Sequence, residues 1–207
     1  MRGRAGWAGP LSLKNEEKVT EDLELEPISE YNKAKMCAER IVLSYSARMI
    51  TQIVRPATVC GVSPRMRLDV AVNLLTMQAL TKKEITVLGG EQTRPNIHID
   101  DIIELYIFLI KNPQFTGTFN AGFENISILD IAKIIKKKLD CKINIKESND
   151  PRSYRVSSDK ILETGYVPKK NIEKSINEMI EIYNKGLLSD LDEYYNIKTM
   201  KKLKLNV

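Results

Sequence analysis

The chain has 207 residues, 43% of them hydrophobic, which is enough for one sizeable domain or two small ones with a buried core and excludes a disordered chain. No apolar run approaches the roughly 20 residues of a membrane span, and no signal-peptide h-region opens the sequence, so a soluble, cytoplasmic protein without membrane contact is expected. The net charge of +5 is spread over clusters such as 136–138 and 198–204, a pattern of solvated helix faces, and no aromatic platform or recognised motif supports nucleic-acid binding.

Composition changes abruptly near the start. Residues 1–12 contain no Lys, Ile or Asn and are rich in Gly, Ala and Arg, whereas the chain from Lys14 onward is rich in Lys, Ile and Asn. Residues 1–13 therefore read as a foreign-looking, disordered tail. Beyond them, residues 26–29 lead into a helix over 31–49, with Ala34, Ala38, Ile41, Val42 and Tyr45 at helical spacing. A strand rich in β-branched residues follows over 50–59, ended by Gly61 and Pro64. A second amphipathic helix covers 68–80, and a short strand over 85–88 is stopped by Gly89 and Gly90.

Asp100 or Asp101 is expected to cap an apolar helix over 102–110, with Pro113 just past its end. A strand over 118–121 precedes a capping box of Ser127 and Asp130, which opens a helix to about residue 139. Residues 143–146 form another strand, Ser157 or Ser158 caps a helix near Ile161, and 172–183 is the last strong helix. Strands alternating with helices predict an α/β fold. Three widely spaced cysteines, Cys37, Cys60 and Cys141, and one histidine make a metal site unexpected, and the cysteines read as reduced, buried thiols.

Chemistry enters with Tyr31 and Lys35, four apart and so one turn apart on one helix face. A phenol titrates near pH 10 in water and is a poor base at neutrality, but a neighbouring ammonium favours the phenolate. Such a pair can exchange a proton with a sugar hydroxyl while a hydride moves to or from a nicotinamide. On spacing alone, a surface Tyr and Lys remain the alternative.

The stretches EPISEYNKAKMCAERIVLSY (26–45) and IVRPATVCGVSPR (53–65) resemble the catalytic helix and succeeding strand of the extended short-chain dehydrogenase/reductase family. The resemblance continues in order through VNLLTMQAL, ITVLGGEQTRPNIHIDDIIELYIFL, GTFNAGFENISILDIAKII and DPRSYRVSSDKILETGYVPK, covering about residues 14–190. It implies an NAD-dependent nucleotide-sugar epimerase or dehydratase, with Tyr31 as acid and base and Lys35 holding the nicotinamide ribose. Pro56 would lie beside the cofactor and Thr58 beside the sugar. Asn73, Arg94, Arg152 and Tyr154 match positions that contact the diphosphate and base of the nucleotide sugar, and guanidinium forks suit phosphate oxygens. The resemblance further implies a homodimer through the helix that bears Tyr31.

Plainer roles stay open beside these. Arg94 can pair with Asp100 or Asp101, Asn73 can be a polar residue in a first helical turn, and Arg152 can form a local ion pair with Asp150. His98, between Ile97 and Ile99, reads as structural. The glycine pattern of a dinucleotide loop occurs at Gly3, Gly6 and Gly9, yet no strand precedes it and Pro10 follows it, so it reads as a decoy. At about 30 residues per βαβ unit, the cofactor half of such a fold does not fit ahead of Tyr31, and the hydroxyl partner expected upstream of the Tyr falls around Trp7, where only Ser12 is near. The expectation is thus the C-terminal part of a Rossmann-like parallel sheet plus a small α/β substrate-binding domain, truncated and inactive alone. Residues 14–62 would be the remnant of the dinucleotide-binding domain, and 63–207 mainly the substrate domain, with a segment near 92–112 returning to the Rossmann part. A dimerisation or nucleotide-sugar-binding fragment without chemistry is the alternative.

Overall fold

The structure, a computed structural model, describes residues 18–25, 27, 29–148 and 153–204. After the short strand β1 (Lys18–Val19), Ser29 breaks the extended chain: its Oγ accepts the Asn32 N–H at 3.1 Å and opens α1 (Glu30–Ser44). β2 (Gln52–Pro56) and β3 (Thr58–Cys60) follow, with only Ala57 between them. α2 (Ala71–Lys82) gives way at Lys83, which takes a left-handed conformation, to β4 (Glu84–Leu88). β5 (Thr93–His98) runs directly into α3 (Ile99–Lys111).

β6 (Gly117–Ala121) and β7 (Glu124–Ser127) lead to α4 (Ile128–Lys138), where the predicted box forms: Ser127 Oγ accepts the Asp130 N–H at 3.0 Å and donates to its carboxylate at 2.7 Å. β8 (Lys142–Lys146), β9 (Arg155–Val156) and α5 (Asp159–Leu162) come next. Asn171 then caps α6 (Ile172–Asn184), and a 3-10 turn (Asp192–Tyr194) precedes α7 (Asn196–Lys202).

The strands form parallel ladders β1·β9, β2·β6, β3·β5 and β4·β8, with β7 added antiparallel to β5. The strand expected over 50–59 is one run in sequence and two elements in space. It follows β6 as far as Pro56 opposite Ala121, Ala57 N–H donates to the Ala121 carbonyl at 2.8 Å, and from Thr58 it pairs with β5 instead. Gly122 allows this crossing, since a Cβ there would stand 2.7 Å from that of Ala57. α2, α4 and α6 bury their apolar stripes with β4 in one core that includes Val72, Ile85, Ile131 and Ile176. α3, α5, β5 and β6 enclose a second around Ile97, Leu105, Phe119 and Ile161. Met66, Leu68, Met77 and Met179 form a third, against which Tyr194 and Tyr195 of the C-terminal segment pack.

Two expectations are corrected, and one left open between two residues is resolved. The cap of α3 is His98, whose Nδ1 accepts the Asp100 N–H at 3.1 Å; because the strand enters the helix without a loop, Asp101 is carried inward, where its carboxylate accepts the Lys169 and Lys170 N–H groups at 2.9 and 3.0 Å. Near Ile161, the Ser157 hydroxyl accepts the Asp159 N–H while Ser158 ties to Gly122. Of the three free cysteines, Cys60 and Cys141 are buried as expected but Cys37 is exposed, because it lies on the outward side of α1.

Candidate active site

The outward side of α1 is the unexpected one. Ala34, Ala38, Ile41, Val42 and Tyr45 are exposed, and the residues that α1 buries are polar, Asn32 and Glu39. Glu39 meets Arg55 of β2 in a two-pronged ion pair, Nε to Oε2 at 3.1 Å and Nη2 to Oε1 at 2.5 Å, with side chains only 6% and 10% exposed. Arg55 also donates to the Glu21 carbonyl at 3.2 Å. Buried charge, rather than an apolar stripe, fastens this helix to the sheet.

That attachment sets the position of Tyr31 and Lys35. Lys35 Nζ lies 5.6 Å from the centroid of the Tyr31 ring, so the two side chains share a face as their spacing requires. Tyr31 stands on the wall of a groove of about 510 Å³ that opens where β2 and β3 part company. Diverging strand ends leave such a crevice because the backbone on either side is committed to different neighbours. Pro56, Thr58, Gly61 and Asn73 line the same groove. Gly61 takes φ +109°, and a Cβ there would meet Ile99 at 3.0 Å and His98 at 3.2 Å, so the turn out of β3 requires glycine. Tyr31 and Lys35 also border a second hollow of about 360 Å³ with Ala38, Val42, Pro56 and Tyr106.

The remaining sequence-identified residues divide. Asn73 is buried and its amide is committed to the chain: Oδ1 accepts the Gly61 N–H at 3.0 Å, and Nδ2 donates to the Gly61 and Arg67 carbonyls at 3.3 and 2.9 Å. Arg94 and Tyr154 come together, with the guanidinium carbon 5.9 Å from the ring centroid, but neither lines the Tyr31 groove. Arg152, and with it the ion pair to Asp150, lies outside the described residues, as do Gly3, Gly6 and Gly9. The carboxylates once open to Arg94 are engaged elsewhere, Asp101 by the amides of Lys169 and Lys170 and Asp100 by the Lys170 ammonium.

His98 is buried, with Nδ1 on the Asp100 N–H and Nε2 3.0 Å from Glu178. Although His98, Asp100 and Glu178 bring ligand atoms within 4.8 Å of one another, the Lys170 ammonium bridges the two carboxylates, and the cluster ties β5 and α3 to α6. Burial pushes the Cys60 thiol up to about 11, against a hydrogen bond from Ser175 that opposes the rise, so this groove-lining sulfur is no nucleophile. Sequence reasoning passed over Arg65 and Arg67, which also line the groove. They sit in an irregular segment with no periodicity to flag them.

Fold and site together define a Rossmann-like α/β protein with a tyrosine–lysine pair whose tyrosine stands on the wall of a groove at a change of strand partners. The NAD dependent epimerase/dehydratase family matches residues 5–122, more than half of the chain, and the chain belongs to that family. The match takes in most of the stretch that composition sets apart. An uncharacterized UDP-glucose epimerase of Bacillus subtilis is 33% identical over 124 residues, 58% of this chain and 39% of its own length. The UDP-glucuronic acid 4-epimerase of Bacillus cereus, solved with UDP-glucuronic acid and NAD, superposes with a TM-score of 0.68 at 28% identity over 83% of this chain and 57% of that one. For the ADP-L-glycero-D-manno-heptose-6-epimerase of Helicobacter pylori the TM-score is 0.73 at 25% identity, over 87% and 58%. The chain thus spans less than two thirds of the relatives it matches.

The family is NAD-dependent. Among the described residues, neither the Tyr31 hydroxyl nor the Lys35 ammonium has a hydrogen-bond or ion-pair partner, so both retain donors for ribose hydroxyls. No helix among the described residues is long and apolar enough to cross a membrane.

Proposed function

We propose that this chain carries the proton-transfer and substrate-binding part of an NAD-dependent nucleotide-sugar epimerase or dehydratase. The observation that carries the reading is the Lys35 ammonium 5.6 Å from the Tyr31 ring, both without polar partners among the described residues, with Tyr31 on the groove that Pro56 and Thr58 also line. When bound, NAD supplies a hydride acceptor and donor. The chain does the rest. Tyr31 exchanges a proton at its phenol oxygen with a sugar hydroxyl, and Lys35 favours the charged phenol and holds the ribose. Pro56 and Thr58 bound the reacting end, and Asn73 fixes the turn at Gly61 beneath it. Arg94, Arg152 and Tyr154 serve the diphosphate and base.

Turnover of UDP-glucose, UDP-glucuronic acid, dTDP-glucose and ADP-heptose with added NAD tests this, and turnover by the chain alone would also overturn the expectation that it is inactive alone. Tyr31→Phe is expected to lower kcat by about 10²–10⁴-fold, the usual worth of a positioned acid and base, with nucleotide-sugar affinity kept. Undiminished turnover by that variant would overturn the assignment.

A second reading rests on the apolar outward face of α1, where Ile41 is 61% exposed and Tyr45 and Met49 about half exposed. Such a face is suited to a second copy of the chain, giving a homodimer through the helix that bears Tyr31. Size-exclusion chromatography of wild type and Ile41→Gln distinguishes the cases: an elution volume that the substitution leaves unchanged removes the dimer.

A further inference from the structure

The loop between β3 and α2 carries two guanidinium groups, and the C-terminal segment holds that loop. Arg65 and Arg67 line the groove. Arg67 is neutralised in part by Asp69, Nε to Oδ1 at 2.9 Å. Arg65 has no carboxylate partner; Nη2 donates to Asn196 Oδ1 at 3.2 Å, and its other donors are unengaged among the described residues. Among the described residues no acidic side chain lines the groove, so its lining, which includes Tyr31, carries net positive charge.

Three hydrogen bonds run from this loop to the C-terminus. Arg65 bonds Asn196, the Asn196 N–H donates to Asp69 Oδ2 at 3.0 Å, and the Leu68 N–H donates to the Tyr194 carbonyl at 2.9 Å. Beneath them Met66 and Leu68 are buried in the cluster that Tyr194 and Tyr195 cover. The contacts of Asp69 hold its carboxyl below the usual range: burial acts to raise it, but the Arg67 and Asn196 hydrogen bonds prevail. The loop is irregular between β3 and α2, and these ties to a segment about 130 residues away fix its shape.

We propose that Arg65 is the residue by which this groove selects a phosphoryl-bearing substrate, and that α7 is its positioning element, acting through Asn196. The inference rests on the nucleotide-sugar reading above and adds to Arg94 and Arg152 a phosphate-reading cation on the Tyr31 groove itself, and the element that aims it. A guanidinium with free paired donors matches phosphate oxygens two at a time, whereas the bare nucleoside offers it no charge. Arg65 is exposed, so its replacement leaves the core untouched.

Calorimetric titration of the full chain with UDP, dTDP, ADP, GDP and CDP, and with the matching nucleosides, tests it. For whichever diphosphate binds wild type, Arg65→Ala is expected to weaken binding about 10–100-fold, the worth of a charge-assisted contact. Nucleoside binding stays unchanged, and Arg65→Lys recovers part of the loss. Asn196→Ala, which keeps its backbone bond to Asp69, is expected to weaken the diphosphate by about 3–10-fold, and the double variant to bind no worse than Arg65→Ala alone, because both act through one group. Equal losses for diphosphate and nucleoside, unchanged affinity in Arg65→Ala, or additive losses in the double variant overturn the inference and leave the nucleotide-sugar reading intact. Failure of wild type to bind any of the five diphosphates sinks both.

Discussion

Replacing Glu39 with alanine asks whether the helix bearing Tyr31 is held by charge. Its carboxylate and the Arg55 guanidinium are 6% and 10% exposed and meet through two contacts, at 3.1 and 2.5 Å. Deleting the carboxylate takes from a buried guanidinium its two-pronged charged partner, and breaking a buried pair in this way costs about 3–5 kcal/mol. Arg55 keeps its 3.2 Å bond to the Glu21 carbonyl, which places the expected loss at the lower end, about 3 kcal/mol. For a chain of this size that is a fall in Tm of roughly 6–12 °C. Arg55→Met alone is expected to cost a similar amount, since it leaves the carboxylate buried. The double variant Glu39→Leu, Arg55→Met returns to within about 1 kcal/mol of wild type, because it removes both desolvated charges together. Urea unfolding followed by far-UV circular dichroism supplies all four stabilities and their coupling. A loss under about 1 kcal/mol for Glu39→Ala, or a double variant as unstable as the sum of the singles, would refute the reasoning.

Three further outcomes are expected. Asp101→Asn leaves one carbonyl oxygen for the two amides of Lys169 and Lys170, and urea unfolding is expected to register a loss of about 2–3 kcal/mol; a change below about 0.5 kcal/mol would contradict the assigned bonds. Burial raises the Glu124 carboxyl above its usual range, against the Ile172 N–H that lowers it. A raised folded value means that the native chain binds the proton more readily, so this group's contribution falls as pH rises through the window above 4.5. Wild type should therefore gain stability relative to Glu124→Gln as pH drops from neutrality toward that value, and a constant difference would count against it. A disulfide-exchange reagent should titrate one fast thiol, the exposed Cys37, while Cys60 and Cys141 react only as the chain unfolds; loss of the fast phase on Cys37→Ser is the check.

Local signals were the readable ones. The Ser127 and Asp130 box announces α4 because capping involves residues three apart, and α6 and β4 carry unambiguous periodicity over their own length. What periodicity omits is the identity of the neighbour. Residues 50–59 read as one strand since nothing in a β-branched run records a change of partner at Ala57. β5 was hidden by Pro95, which lacks a ladder donor, and by the direct passage of the strand into α3 at His98. The stripe from Ala34 to Tyr45 gives the helix correctly but not its orientation, because an apolar face outward and one inward have the same spacing. Tyr31 and Lys35 could be paired from spacing alone, whereas Arg65 and Arg67 could be placed at the groove only by coordinates.

The reversed polarity of α1 bears directly on the site. An apolar stripe turned inward would let the helix slide or rotate among similar packings, whereas the Glu39 and Arg55 contact has one geometry, and it fixes the helix rotation that sends Tyr31 toward the groove and Lys35 beside it. The cost is an uncovered face, and that face is not remote from the chemistry. Ala38 and Val42 belong to it and also wall the 360 Å³ hollow that Tyr31 and Lys35 share with Tyr106. A partner seated on the stripe would therefore enclose the ammonium and the phenol, excluding water and strengthening their mutual attraction. On this geometry the proposed association through α1 and the proposed proton transfer at Tyr31 both depend on one helix orientation, so loss of the Glu39 and Arg55 contact should impair both together.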